Sequence, residues 1–180
     1  MILGISEIQK LIKSHNLLSN LSKRESENPE GCVIDLRLEK LFDLKGKGFI
    51  GLEERKTPDV AEVASYNKNK KAEFTFKPNS YYLTKTIEEV NLPDNIAALF
   101  KPRSTLFRSG LILRTGFANP GYSGPLYFGL FNASNCDFTI ELGSRYCSVF
   151  FVEVKGSIKN PYRGQWQGGR DAATKLEKQI

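Results

Sequence analysis

The sequence predicts an all-β protein with one short N-terminal helix. Three observations point there. Short runs of alternating polar and apolar residues recur along the chain, turn signals separate them at close intervals, and helical periodicity appears only once. With 12 Phe and 7 Tyr among 180 residues, the composition favours β structure and supplies enough apolar mass for one compact core. Many short strands joined by turns imply a sandwich or barrel.

The elements follow in order. Ile5, Ile8, Leu11 and Ile12 recur at helical spacing, with Ser6 able to cap the start, so residues 5 to 15 read as an amphipathic helix. Residues 19 to 31 are polar, contain Pro29, and read as a loop. From 32 to 38, Val33, Asp35 and Arg37 alternate with Ile34, Leu36 and Leu38, a strand with one polar face. Residues 43 to 72, rich in Lys, Glu and Gly, read as an exposed insertion with a short strand or two. Further strands are expected at 72 to 76, 81 to 87, 96 to 100, 111 to 114, 126 to 132, 136 to 142 and 146 to 154. Turns are expected at Pro78-Asn, Asn91-Leu-Pro-Asp-Asn and Asn119-Pro-Gly-Tyr-Ser-Gly, and a short helix over 106 to 110. The chain therefore divides into a β domain over 1 to 155 and a polar, Gly-rich tail over 156 to 180.

Composition excludes several functions. No apolar run is long enough to span a bilayer, and Glu7 interrupts the N-terminal apolar stretch, so a cytoplasmic protein is expected. Cys32, Cys136 and Cys147 are odd in number and widely spaced, and His15 is the single histidine, which argues against a disulfide framework and a zinc site. The net charge of +6 fits either a solvated basic surface or attraction for polyanions. No helix-turn-helix, zinc finger or aromatic RNA-binding signature accompanies it, so nucleic acid is the weaker partner and nucleotide phosphates the stronger.

The chemistry-bearing segment is 78 to 132. Pro78-Asn-Ser-Tyr-Tyr-Leu-Thr-Lys-Thr-Ile-Glu-Glu-Val-Asn-Leu-Pro leads into Pro102-Arg-Ser-Thr-Leu-Phe-Arg-Ser-Gly-Leu, then Pro120-Gly-Tyr-Ser-Gly. Arg103, Ser104, Thr105 and Arg108 gather forked guanidinium and hydroxyl donors at a helix start, a set suited to phosphate oxygens. Locally, the same residues suit a capped surface helix with solvated arginines. This order of motifs resembles the dCTP deaminases of the dCTP deaminase/dUTPase superfamily. The Met-Ile-Leu start, the Ile34-Asp-Leu-Arg-Leu strand and the Tyr162-Arg-Gly-Gln-Trp-Gln-Gly tail are similar too, so the resemblance spans most of the chain outside 43 to 72.

The resemblance implies a distorted jelly roll (the β-clip, dUTPase-like barrel), a homotrimer with sites between subunits, and a deoxypyrimidine triphosphate, dCTP or dUTP, held with Mg²⁺ through its phosphates rather than through protein side chains. It implies that Arg103, Ser104, Thr105 and Arg108 bind the nucleotide, with Ser104 and Arg108 in the catalytic set. It also implies that Tyr122 packs against the deoxyribose, and that the 156 to 180 segment closes over the triphosphate with Tyr162, Arg163, Gln165, Gln167 and Arg170. Tyr122 equally suits a core aromatic after a tight turn, and one residue can do both.

Two positions depart from the pattern. The family's proton-shuttling glutamate falls at Gly129 in Leu126-Tyr-Phe-Gly-Leu-Phe-Asn, and the aspartate that activates water in the dUTPases falls at Asn119. Glycine transfers no proton and an amide has no useful basicity, while general acid–base help is worth about 10²–10⁴-fold. Four functions follow: a divergent dCTP deaminase, a noncatalytic nucleotide-binding relative, an Mg²⁺-dependent dUTP diphosphatase, and nucleic-acid binding through the Lys68–Lys71 region.

Overall fold

The computed structural model describes residues 1–179. In chain order the elements are α1 (Ile5–His15), β1 (Leu18–Ser19), α2 (Lys23–Glu27), β2 (Ile34–Lys45), β3 (Phe49–Ile50), β4 (Glu54–Lys56), β5 (Asp59–Ser65) and β6 (Glu73–Phe76). They continue with β7 (Tyr81–Asn91), β8 (Ile96–Pro102), α3 (Ser104–Arg108), β9 (Leu111–Arg114), β10 (Ser123–Asn132), β11 (Phe138–Glu141), β12 (Arg145–Glu153) and β13 (Glu177–Lys178). The all-β expectation holds.

The main sheet runs β8-β12-β2-β7-β10-β9, with β1 on β7 and β5 on β2. Its two ends meet beyond β9, where Ala98 and Ala118 exchange both backbone hydrogen bonds at 3.0 Å. This bridge nearly closes the sheet into a barrel and leaves little bare edge there. The side chains of Ile34, Leu36, Leu38, Leu130, Val149 and Phe151, all fully buried, fill its interior. The alternation read along 32 to 38 is the reason: Ile34, Leu36 and Leu38 all face that core. The pair β6 and β11 lies to one side, with Phe74, Phe76 and Tyr82 stacked edge to face at 4.9–5.4 Å.

Several local expectations shift. Gly4, not Ser6, caps α1, and its carbonyl accepts from both Glu7 N and Ile8 N. The segment read as a loop contains α2, capped by Ser22 Oγ, which accepts from Glu25 N. β2 continues to Lys45 because β5 gives its far half a partner. Among the described residues no helix is long and apolar enough to cross a membrane.

Candidate functional site

A cavity of about 390 Å³ opens where the turn after β9 meets the middle of β10, within the range of small-ligand pockets. The turn supplies Gly116, Phe117, Ala118, Asn119 and Tyr122. It is fixed from both sides. Ala118 is tied to Ala98, Gly121 N donates to Leu92 O at 3.0 Å, and Leu92 N donates to Tyr122 O at 2.9 Å. Gly121 adopts φ +85°, and a Cβ there would stand 2.7 Å from Pro161 Cβ, so the turn needs glycine for both reasons.

On β10 three consecutive residues, Leu126, Tyr127 and Phe128, reach the cavity. A regular strand alternates its faces, but a register shift between Pro125 and Tyr127 re-aims the side chains. Phe100 adds a further ring from β8, and Leu44, Thr57, Pro58, Val60 and Leu83 add a further wall.

The C-terminal segment forms the rest of the boundary with Tyr162, Trp166, Arg170 and Asp171. Its backbone lies against the turn: Tyr162 N donates to Pro120 O at 2.8 Å and Gly168 N to Ser123 O at 2.9 Å. A Cβ on Gly124 would be 2.8 Å from Gly168 C, so the two segments touch backbone to backbone. Past the cavity, Thr57 N donates to Ala173 O at 2.9 Å and Thr57 Oγ1 accepts from Ala173 N at 2.8 Å. β13 then joins β4 and β3 as a small third sheet.

The residues singled out from the sequence fall into two groups. Tyr122, Tyr162 and Arg170 line the cavity. Tyr122 is 8% exposed, its hydroxyl donates to Pro125 O, and its ring meets Tyr162 edge to face at 5.6 Å. Burial pushes that hydroxyl far above its ordinary range. Arg170 holds Glu177 with both terminal nitrogens, at 3.0 and 2.7 Å. Gln167 lies outside the lining; its amide binds the turn backbone, accepting from Ser123 N at 3.2 Å and donating to Gly121 O at 2.9 Å. Gln165 accepts from Arg55 Nε, and Arg163 donates to Asn160.

None of Arg103, Ser104, Thr105 and Arg108 lines the cavity. Arg103 sits at the N-cap of α3 and its guanidinium pairs with Asp35. Asp35 is 5% exposed and also accepts from Ser148 Oγ at 2.6 Å and Arg145 Nη1 at 3.0 Å. Burial, with Arg145 and Arg24 beside it, lowers the Arg103 guanidinium below its usual value, though an arginine stays charged. Ser104, Thr105 and Arg108 are exposed. Asp35, on β2, is thus bound up in arginine pairs.

Gly129 sits in β10 opposite Leu83 on β7 and Arg114 on β9. A Cβ on it would stand 2.1 Å from Tyr81 Oη and 2.7 Å from Cζ. The Tyr81 ring therefore covers the space that a side chain at this position would enter. Asn119 lines the cavity. Among the described residues no group of three His, Cys, Asp or Glu side chains could hold a metal ion.

Sequence reading missed Phe100, Tyr127, Trp166 and Asp171, along with the wall from 44 to 60. Trp166 lay inside a quoted motif and is the chain's only Trp, a signal in plain view. Tyr127 and Asp171 reach the cavity through a bulge and a folded tail, which no periodicity announces.

Residues 2–154 match the profile of the dCTP deaminase-like family. A dCTP deaminase of Thermococcus gammatolerans is 33% identical over 162 residues, covering 90% of each chain. A deoxyuridine 5'-triphosphate nucleotidohydrolase of Methanocaldococcus jannaschii is 33% identical over 159 residues, 86% of this chain and 95% of that one. The fold is similar to the crystal structure of 2'-deoxycytidine 5'-triphosphate deaminase from Agrobacterium tumefaciens, with a TM-score of 0.66 at 18% identity. That match covers 86% of this chain and 49% of the other, so this chain spans about half the length of that deaminase. By sequence and by fold, the chain belongs to the dCTP deaminase-like family.

Proposed function

We propose that the chain binds a deoxypyrimidine nucleoside triphosphate, dCTP or dUTP, and holds it without deaminating it. The observation that carries this reading is a formed aromatic cavity together with Gly129, which lies outside its lining and whose side-chain space the Tyr81 ring fills. Aromatic walls suit the faces of a base, and Tyr122 beside the Asn119 turn suits a sugar that lacks its 2'-hydroxyl. Neither family acid position carries an acid, since Gly129 and Asn119 stand there.

In this reading Arg103, Ser104, Thr105 and Arg108 take the triphosphate. They lie outside the cavity lining of their own chain, so a second copy supplies them and the protein works as a homotrimer with sites between subunits. Exposed Phe107 and Ile112, at 56 and 42%, give α3 and β9 apolar surface for that contact. The 156 to 180 segment closes over the nucleotide. Mg²⁺ would be held through the phosphates and would neutralise part of their charge; the described side chains form no cage for it.

A second reading, conversion of dCTP to dUTP and ammonia, draws support from the relatives named dCTP deaminases. Calorimetric titration tests the binding claim. With Mg²⁺ present, dCTP or dUTP should bind saturably, CTP about tenfold or more weakly, and Arg108→Ala should weaken the deoxynucleotides by about tenfold. No binding of either deoxynucleotide contradicts the proposal.

A further inference from the structure

Most polar side chains around the cavity are already spent within the protein. Thr57 Oγ1 accepts from Ala173 N, Tyr122 Oη donates to Pro125 O, Tyr162 Oη accepts from Trp166 N, and Arg170 holds Glu177. Among the described residues, the side chains of Asn119, Tyr127 and Asp171 have no such partner, so these three can read a ligand. Asp171 is the one carboxylate in the lining, and no arginine or lysine pairs with it within 4.0 Å among the described residues. Its neighbours fix its place: Arg170 is clipped to Glu177 on one side, and Ala173 is bonded twice to Thr57 on the other. Its charge reaches the cavity, for Asp171 and Glu39 add to burial in pushing the Tyr127 hydroxyl up to about 12.

We infer that Asp171 reads the base, accepting a hydrogen bond from an exocyclic amine and setting the cavity's preference for cytosine over uracil. The inference rests on the nucleotide-binding reading above. An ionised carboxylate only accepts, and cytosine presents an amine with two N–H donors. Acidic side chains accept from that amine in base recognition generally. Uracil carries a carbonyl oxygen at the same ring position, and its single ring N–H is flanked by two carbonyl oxygens. An acceptor facing an acceptor forms no hydrogen bond and repels, which disfavours the wrong base. The residue belongs to the tail and reaches the base only in the folded-back position that Thr57 and β4 hold.

Titrating dCTP and dUTP with Mg²⁺ into the full chain, its Asp171→Ala form and its Asp171→Asn form tests this. The original chain should favour dCTP about tenfold. The preference should fall to within about twofold in Asp171→Ala and tilt toward dUTP in Asp171→Asn, whose amide can donate. Asp171 is exposed, so unchanged melting temperatures should accompany both changes. Equal affinities in the original chain, or a dCTP preference that survives in both variants, overturn the inference while the nucleotide site stands. Failure of the original chain to bind either nucleotide removes the binding reading and this inference together.

Discussion

At Gly129 a strand position that would ordinarily carry a side chain has been given over to the ring of a neighbour. Tyr81 lies diagonally across the β7–β10 pair and packs over the bare backbone, as aromatic residues do over strand glycines. A methyl group at 129 must push the ring aside. Gly129→Ala should therefore destabilise the protein by about 1–3 kcal/mol as overpacking does. In a Tyr81→Ala background the same change should be neutral, or stabilising by about 0.5–1 kcal/mol, because alanine is stiffer than glycine in the unfolded chain. Chemical denaturation of the four proteins at one concentration checks this; additive effects contradict it. The glycine itself was legible, since Gly129 falls inside a motif of fixed order. The ring over it was not, because a diagonal contact between strands depends on register. Glu88 offers a second test. Its carboxyl is fully buried, and burial raises it above the ordinary 4.5 although Arg37 pulls the other way through hydrogen bonds and charge. A carboxyl raised on folding contributes stability that is fully present below its unfolded value and lost as pH rises through its folded value. Glu88→Gln should thus gain on the original chain as pH climbs above about 4.5, where a pH-independent difference in melting temperature would be the contrary result.

The elements that make the cavity differ in how they announce themselves. β9 and α1 have the bounds their patterns predict, since each is a short segment with one clear face. The last three residues of β2, 43 to 45, lie within the stretch read as an insertion, because Lys, Asp and Gly there obscure the alternation that β5 completes. β13 is two residues long and owes its existence to β4 rather than to its own sequence. That dependence is testable. Ala173 is fully buried and its amide finds its acceptor in Thr57 Oγ1. Thr57→Val keeps the shape and removes the acceptor, a loss of about 1–3 kcal/mol for a buried donor left unpaired. The amide of Ala173 should exchange faster in this variant, and emission from Trp166, the sole tryptophan, should shift to longer wavelength as the tail loosens. Unchanged exchange and emission would mean that Thr57 does not hold the tail.

Across the whole molecule, the barrel closes through Ala98 and Ala118, and that closure sets the Asn119–Tyr122 turn over β10. Class and barrel were legible because turn spacing and alternation are local. The separation of Arg103 and Arg108 from the cavity was not, since the motif order says nothing about which side of a barrel each residue occupies. If sites form between copies, two damaged chains can complement each other. Arg108→Ala and Phe117→Ala, each at an exposed residue, should each weaken dCTP binding. Oligomers assembled from an equal mixture should regain tight binding at roughly a quarter of their sites, the fraction in which both halves are intact. No recovery would place the whole site within one chain. The central claim, a family cavity that retains its nucleotide but lacks the strand acid, is tested most directly by product analysis. The purified protein is incubated with dCTP and Mg²⁺ at a concentration shown calorimetrically to saturate it, and the nucleotides are separated by ion exchange. We predict dCTP recovered unchanged. Formation of dUTP beyond one equivalent, with release of ammonia, would contradict the account and show that an acid elsewhere in the protein performs the chemistry.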